Sequence, residues 1–153
     1  MKIHRINLKG PWGFEWLTDE KSTQALPANG LSATTGKLQM PMSWQTAFGS
    51  QTGTVQLTRR FHTPTNLASS EQVHLVFDGV VGCGDVLLNG ALLGQLSTSS
   101  VVNSFDITAL LQPANLLAVN WTCDANCDFS QPAGLYAPVA LEIQDDSRLA
   151  QTE

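Results

Sequence analysis

An all-β fold, a sandwich of two packed antiparallel sheets, is predicted by three observations. Apolar and polar residues alternate in short runs, as they do along a strand with one buried face. Glycine, proline and one Asn-Gly pair close those runs. No stretch keeps a 3.6-residue apolar period over three turns, so the layers must be built from strands.

Along the chain, residues 3–8 and 12–17 read as the first two strands. Residues 19–36 form the one long loop, rich in Ser, Thr, Ala and Gly, and a short strand at 38–40 follows. Val55, Leu57, Arg59 and Phe61 make one face of the next strand, with Gln56, Thr58, Arg60 and His62 on the other. Val73, Leu75 and Phe77 alternate with His74, Val76 and Asp78. Gly79, Gly82 and Gly84 mark a bulged bend before strands at 85–88 and 92–96. Asn89-Gly90 joins these two, because a type I′ hairpin turn needs positive φ at both centres. Residues 107–112 allow one short helical turn. Leu117, Val119 and Trp121 then alternate with Ala118, Asn120 and Thr122, and Val139, Leu141 and Ile143 with Ala140, Glu142 and Gln144. One domain is expected over residues 1–146, with a tail at 147–153.

The parity of its strand puts Arg59 on the core-facing side. A buried guanidinium must be paired, so a carboxylate partner is expected, Asp106 first and Asp78 second.

Composition narrows the function. Of 153 residues, 42% are hydrophobic and 14% charged, which implies one proper core under a weakly charged surface of Ser, Thr, Gln and Asn. Eight basic residues against thirteen acidic ones give a net charge of −5. No basic cluster exceeds Arg59-Arg60, so a nucleic-acid partner is not expected. No apolar run approaches the ~20 residues of a membrane helix. The N-terminus, MKIHRINLKGPW, lacks the apolar stretch of a signal peptide, and a cytoplasmic location is the expectation, with export the alternative if the start is misplaced. Three cysteines, an odd number, argue against a disulfide framework. The sequon at Asn120 falls inside an expected strand, where glycosylation is not anticipated.

Catalytic patterns are missing. No serine sits in a Gly-x-Ser-x-Gly context, and the glycines at 79, 82 and 84 lack the Lys-Ser/Thr of a phosphate loop. Cys123 and Cys127, spaced C-x3-C, could be half of a metal site. Zinc wants four ligands, however, and His4, His62 and His74 are scattered. Two free thiols near a strand end, able to oxidise one another, are the preferred reading. No acidic calcium loop is visible, and no cofactor is expected.

Several motifs occur in a fixed order: Gly10-Pro11-Trp12, Pro41-Met42-Ser43-Trp44, Arg59-Arg60-Phe61, Phe77-Asp78-Gly79-Val80, Leu88-Asn89-Gly90, Phe105-Asp106-Ile107-Thr108 and Gly134-Leu135-Tyr136. In this order they resemble the sugar-binding, galactose-binding-like jelly-roll domain of family 2 glycoside hydrolases such as β-galactosidases and β-glucuronidases. The resemblance runs nearly the whole chain. It implies a galactose-binding-like jelly roll and a carbohydrate-binding-type module. In that family the paired catalytic glutamates belong to a barrel, for which this chain has no room, so the chain is read as non-catalytic. Two alternatives stay open: a structural or protein-interaction module without a sugar, and a detached part of a split hydrolase. The segment 95–104 lacks the family's His, Gly pair and Pro, and its Val101 and Val102 favour the interaction module.

The resemblance also nominates site residues. Asp128, ahead of Gly134-Leu135, matches a family Asp that reaches toward the sugar, and a carboxylate suits vicinal hydroxyls. Asn103 or Gln131 would assist, and Tyr136 or Trp44 would supply a ring face. For Asp128 the competing role is a turn aspartate bonding its own backbone. For Trp44 it is packing at the sandwich edge. Segments 89–90, 95–103 and 128–136 are expected to meet at one rim.

Overall fold

The computed structural model describes residues 3–17, 35–49, 51–65, 67–98, 103–124, 127 and 130–145. Among the described residues ten strands are formed, β1 (Ile3–Asn7), β2 (Gly10–Trp16), β3 (Thr35–Met40), β4 (Gly53–His62), β5 (Glu71–Phe77), β6 (Cys83–Leu88), β7 (Ala91–Ser97), β8 (Ser104–Asp106), β9 (Ala114–Cys123) and β10 (Val139–Asp145). A short helix, α1 (Trp44–Phe48), and a 3₁₀ turn at Thr108–Leu110 complete them. One sheet has the order β1-β10-β5-β8 and the other β3-β2-β4-β9-β6-β7, with every paired strand antiparallel. This is the all-β two-sheet sandwich that the alternation predicts.

The core lies between the sheets. Val73, Leu75 and Phe77 of β5 face Val55 and Leu57 of β4 and Leu117, Val119 and Trp121 of β9, all buried. Each buried indole has a partner for its N–H, as a ring in a dry core requires. Trp12 donates to the Leu8 carbonyl at 2.9 Å, Trp44 to Gln51 at 2.7 Å and Trp121 to Val81 at 3.0 Å.

The Asn89-Gly90 turn is left-handed at both centres, φ 53° and 86°, as the hairpin reading requires. Asn89 also stitches the turn to its neighbours: its amide donates to Leu110 and Asn115, and its oxygen accepts from the Leu116 N–H. Asn115, the one buried polar residue among those described, gathers Phe61, Thr63 and Gln112 around its own amide.

Arg59 departs from expectation. It is half-buried, and its guanidinium donates to the carbonyls of Lys9 (2.9 and 3.1 Å) and Arg60. Neither proposed carboxylate meets it: Asp78 pairs with Arg5, and Asp106 is held by Thr108. Arg59 shares the parity of the buried Val55, Leu57 and Phe61, but β2 and β4 part after the Gly13–Thr58 pair, which leaves the Lys9 carbonyl within its reach. Residues 18–34, most of the expected long loop, and the tail at 147–153 lie outside the described residues, while Thr35 and Gly36 open β3.

Candidate ligand site at one end of the sandwich

The candidate site is built where β6 begins and β9 ends. Cys83 pairs with Thr122 there, and the strand entering β6 is bridged to Gly134: Val81 N–H donates to Gly134 at 3.0 Å, and Gly134 N–H returns to Val81 at 2.8 Å. Gly134 has φ 73° and sits against Trp44, a close approach that suits a residue without Cβ.

Helix α1 fixes the other side of this segment. Its N-cap is Ser43, whose hydroxyl accepts from the Thr46 N–H at 3.2 Å. Trp44 N–H donates to the Ala133 carbonyl at 2.7 Å. The Gln45 side chain accepts from Ala133 N–H at 2.9 Å and donates to the Gln131 carbonyl. One carboxamide thus holds two backbone groups of the stretch leading into Gly134.

Beside this stretch lies an open pocket of about 400 Å³, lined by Val81, Gly82, Cys83, Thr98, Thr122, Asp124, Cys127 and Gln131. That is near the lower end of the ~300–1,000 Å³ of small-molecule sites. Its hydroxyls are oriented by their surroundings. Thr98 accepts from Gly82 N–H at 2.8 Å, and Thr122 shares a hydrogen bond with Thr54 at 2.7 Å. Beneath it the Cys123 thiol lies 3.5 Å from the Val81 carbonyl. Burial, and then the neighbouring Cys127, push that thiol well above the usual thiol range. All three cysteines are free thiols. Among the described residues no group of three or more His, Cys, Asp or Glu could hold a metal ion.

The residues nominated from sequence divide. Gln131 is exposed and lines the pocket. Tyr136 is exposed, but its ring lies over Gly79 and outside the pocket lining. Asn103 is half-buried; its carbonyl accepts from Phe77 N–H at 2.9 Å, and its side-chain oxygen is buried without a partner. Trp44 corrects the stacking expectation. It is 3% exposed, with edge-on contacts to Trp16 and Phe48 at 5.7 and 4.9 Å, so its ring faces are spent on the core. Asp128, the first-ranked candidate, lies outside the described residues, as do positions 99–102 of the expected binding loop.

The single-rim expectation also needs correction. The Asn89-Gly90 turn lies beside Leu116 and Asn115, at the opposite end of β6 and β9 from Cys83, Thr122 and Gln131. Two residues missed in the sequence are Gln45 and Thr98, which order the pocket wall. A Ser-x-x-Thr cap at Ser43 was the available signal for α1.

Residues 37–142 match the family model described as the glycosyl hydrolase 2 galactose-binding domain-like family. The chain belongs to this family. The β-galactosidase of Erwinia tasmaniensis is 26% identical to this galactose-binding-like chain, over 93% of the chain and 16% of the enzyme. The same fold occurs in an FMN-binding β-glucuronidase from Faecalibacterium prausnitzii L2-6, with TM-score 0.70, 19% identity, and 94% of this chain against 23% of that one. The β-glucuronidase of Bifidobacterium dentium gives TM-score 0.70 at 21% identity, over 94% of this chain and 30% of the enzyme. At these identities the solved structures speak for the fold. The galactose-binding-like chain therefore spans less than a third of each of these three relatives.

Proposed function

We propose that this chain is a non-catalytic carbohydrate-binding-type module whose ligand sits in the end pocket. The observation carrying this reading is the pocket of about 400 Å³ bordered by Gln131, Asp124, Thr98 and Thr122, beside the stretch that Gln45 clamps. Neutral hydroxyls and one carboxamide with one carboxylate suit a polyol, which needs donors and acceptors in pairs and little net charge. Asp128, adjoining this wall in sequence, would accept from vicinal hydroxyls as the family resemblance implies. Affinity would be weak, in the millimolar to micromolar range of about 4–8 kcal/mol, because an open pocket covers little of a sugar.

Catalysis is left to other parts of the relatives, and this chain should release no nitrophenol from aryl glycosides. Turnover that survives repurification and disappears on replacing one carboxylate overturns that statement. Calorimetric titration with galactosides, glucuronides and oligosaccharides tests binding itself. The second reading, a protein-interaction module, is favoured by Leu92, 62% exposed on the edge strand β7.

A further inference from the structure

We infer that Cys123 and Cys127 form an oxidisable dithiol, a modification site in the wall of the end pocket. The three cysteines of the chain all gather at this end, yet they are not equivalent. Cys83 opens β6 with its thiol exposed, Cys123 closes β9 buried, and Cys127 is half-buried. Cys127 and Cys83 both line the pocket.

The strand register decides which pair can join. Cys83 is opposite Thr122, so those two side chains share the outer face of the sheet. Cys123 follows Thr122 and therefore points to the inner face, into the core. The turn after β9 then brings Cys127 back: its N–H donates to the Asp124 carbonyl at 3.0 Å, and its half-buried side chain packs against the core cluster that contains Cys123. Cys127 thus lies between the core that holds Cys123 and the pocket it lines. Such a placement suits an attacking sulfur with a resolving partner behind it.

The oxidant is a small peroxide able to enter the pocket. The Cys127 thiolate attacks one peroxide oxygen, the O–O bond breaks, and Cys127 becomes a sulfenic acid as one water leaves. The Cys123 sulfur then attacks the Cys127 sulfur, the S–O bond breaks, and a second water leaves with the Cys123 proton. Two thiols and one hydrogen peroxide give one disulfide and two waters. The bond would close a five-residue loop at the base of segment 128–136, whatever ligand the pocket takes.

The test uses the whole chain treated with hydrogen peroxide, then denatured and titrated for thiols. The thiol count should fall from three to one, and the mass by two hydrogen atoms. No Lys or Arg lies between Arg60 and Arg148, so trypsin leaves all three cysteines on one peptide. Chymotryptic cleavage after Trp121 and Phe129 separates the Cys123/Cys127 peptide from Cys83. C83S should still form the bond, and C127S, altered only at the half-buried thiol, should not. Three thiols remaining, a link through Cys83, or added oxygen on Cys127 without a disulfide would each overturn the inference.

Discussion

Gln45 holds Ala133: the side-chain oxygen of one accepts the backbone N–H of the other at 2.9 Å, across 88 positions of sequence. Ala133 is fully buried, so no water can replace that acceptor. Gln45→Ala should therefore cost about 1–3 kcal/mol, the range for leaving a buried donor unsatisfied. Gln45→Glu keeps the acceptor for Ala133 but loses the donor to Gln131, and should fall between wild type and alanine. Chemical denaturation of the three proteins checks the order.

Arg59→Ala should be milder than loss of a buried ion pair, because the guanidinium serves carbonyls of Lys9 and Arg60 instead of a carboxylate. A cost of about 1–2 kcal/mol is expected for these charge-assisted bonds, against roughly half a kcal/mol or less for exposed Arg60→Ala. Melting curves that rank Arg60 above Arg59 would reverse the assigned strand faces.

Asp106 gives the acid limb of the stability profile a particular sign. The Thr108 hydroxyl at 2.6 Å and N–H at 3.0 Å stabilise its carboxylate and hold its pKa below the ordinary 3.8, with a smaller contribution from His74. A depressed pKa contributes stability that is present above the unfolded value and is lost as pH falls through the folded one. The advantage of wild type over Asp106→Asn should thus be full near neutrality and shrink below about pH 4. Urea midpoints at pH 7 and pH 3 measure it; a gap that widens in acid contradicts the assignment.

Two glycines should separate space from backbone strain. A Cβ on Gly84 would stand 2.2 Å from the Asn120 carbonyl oxygen and 2.7 Å from the Trp121 ring. Gly84→Ala should cost about 3 kcal/mol or more, since neither the strand backbone nor a buried indole can yield cheaply. Gly90 has open space around it but φ 86°, so Gly90→Ala should cost only about 1–2 kcal/mol. Comparable losses at the two positions would mean the β6–β9 contact is looser than described.

The strands were legible because each has one face in the core. Val55, Leu57, Val73, Leu75, Leu117 and Val119 announce themselves by alternation, and all are buried. β3 begins three residues before its apolar signal, since Thr35, Gly36 and Lys37 are exposed and leave no apolar mark. Helix α1 has five residues and buries only Trp44, too little for a 3.6-residue period to show. The pocket was harder still. Which end of the sandwich a turn occupies follows from strand direction, so the Asn89-Gly90 turn, though legible as a hairpin, lies at the end of β6 away from Cys83 and the pocket. Gln45 reaches Ala133 through tertiary contact alone, with nothing local to signal it.

Sugar binding in the end pocket, as proposed, is tested most directly by titration of paired variants. Wild type, Gln131→Ala and Asp128→Ala should be titrated calorimetrically with methyl galactoside, methyl glucuronide and a set of oligosaccharides, with melting temperature recorded in parallel. The account predicts saturable millimolar-to-micromolar binding of at least one sugar by wild type. It predicts loss of that binding in both variants without a shift in melting temperature. No saturable binding of any sugar by wild type, or binding that both variants retain in full, would contradict it.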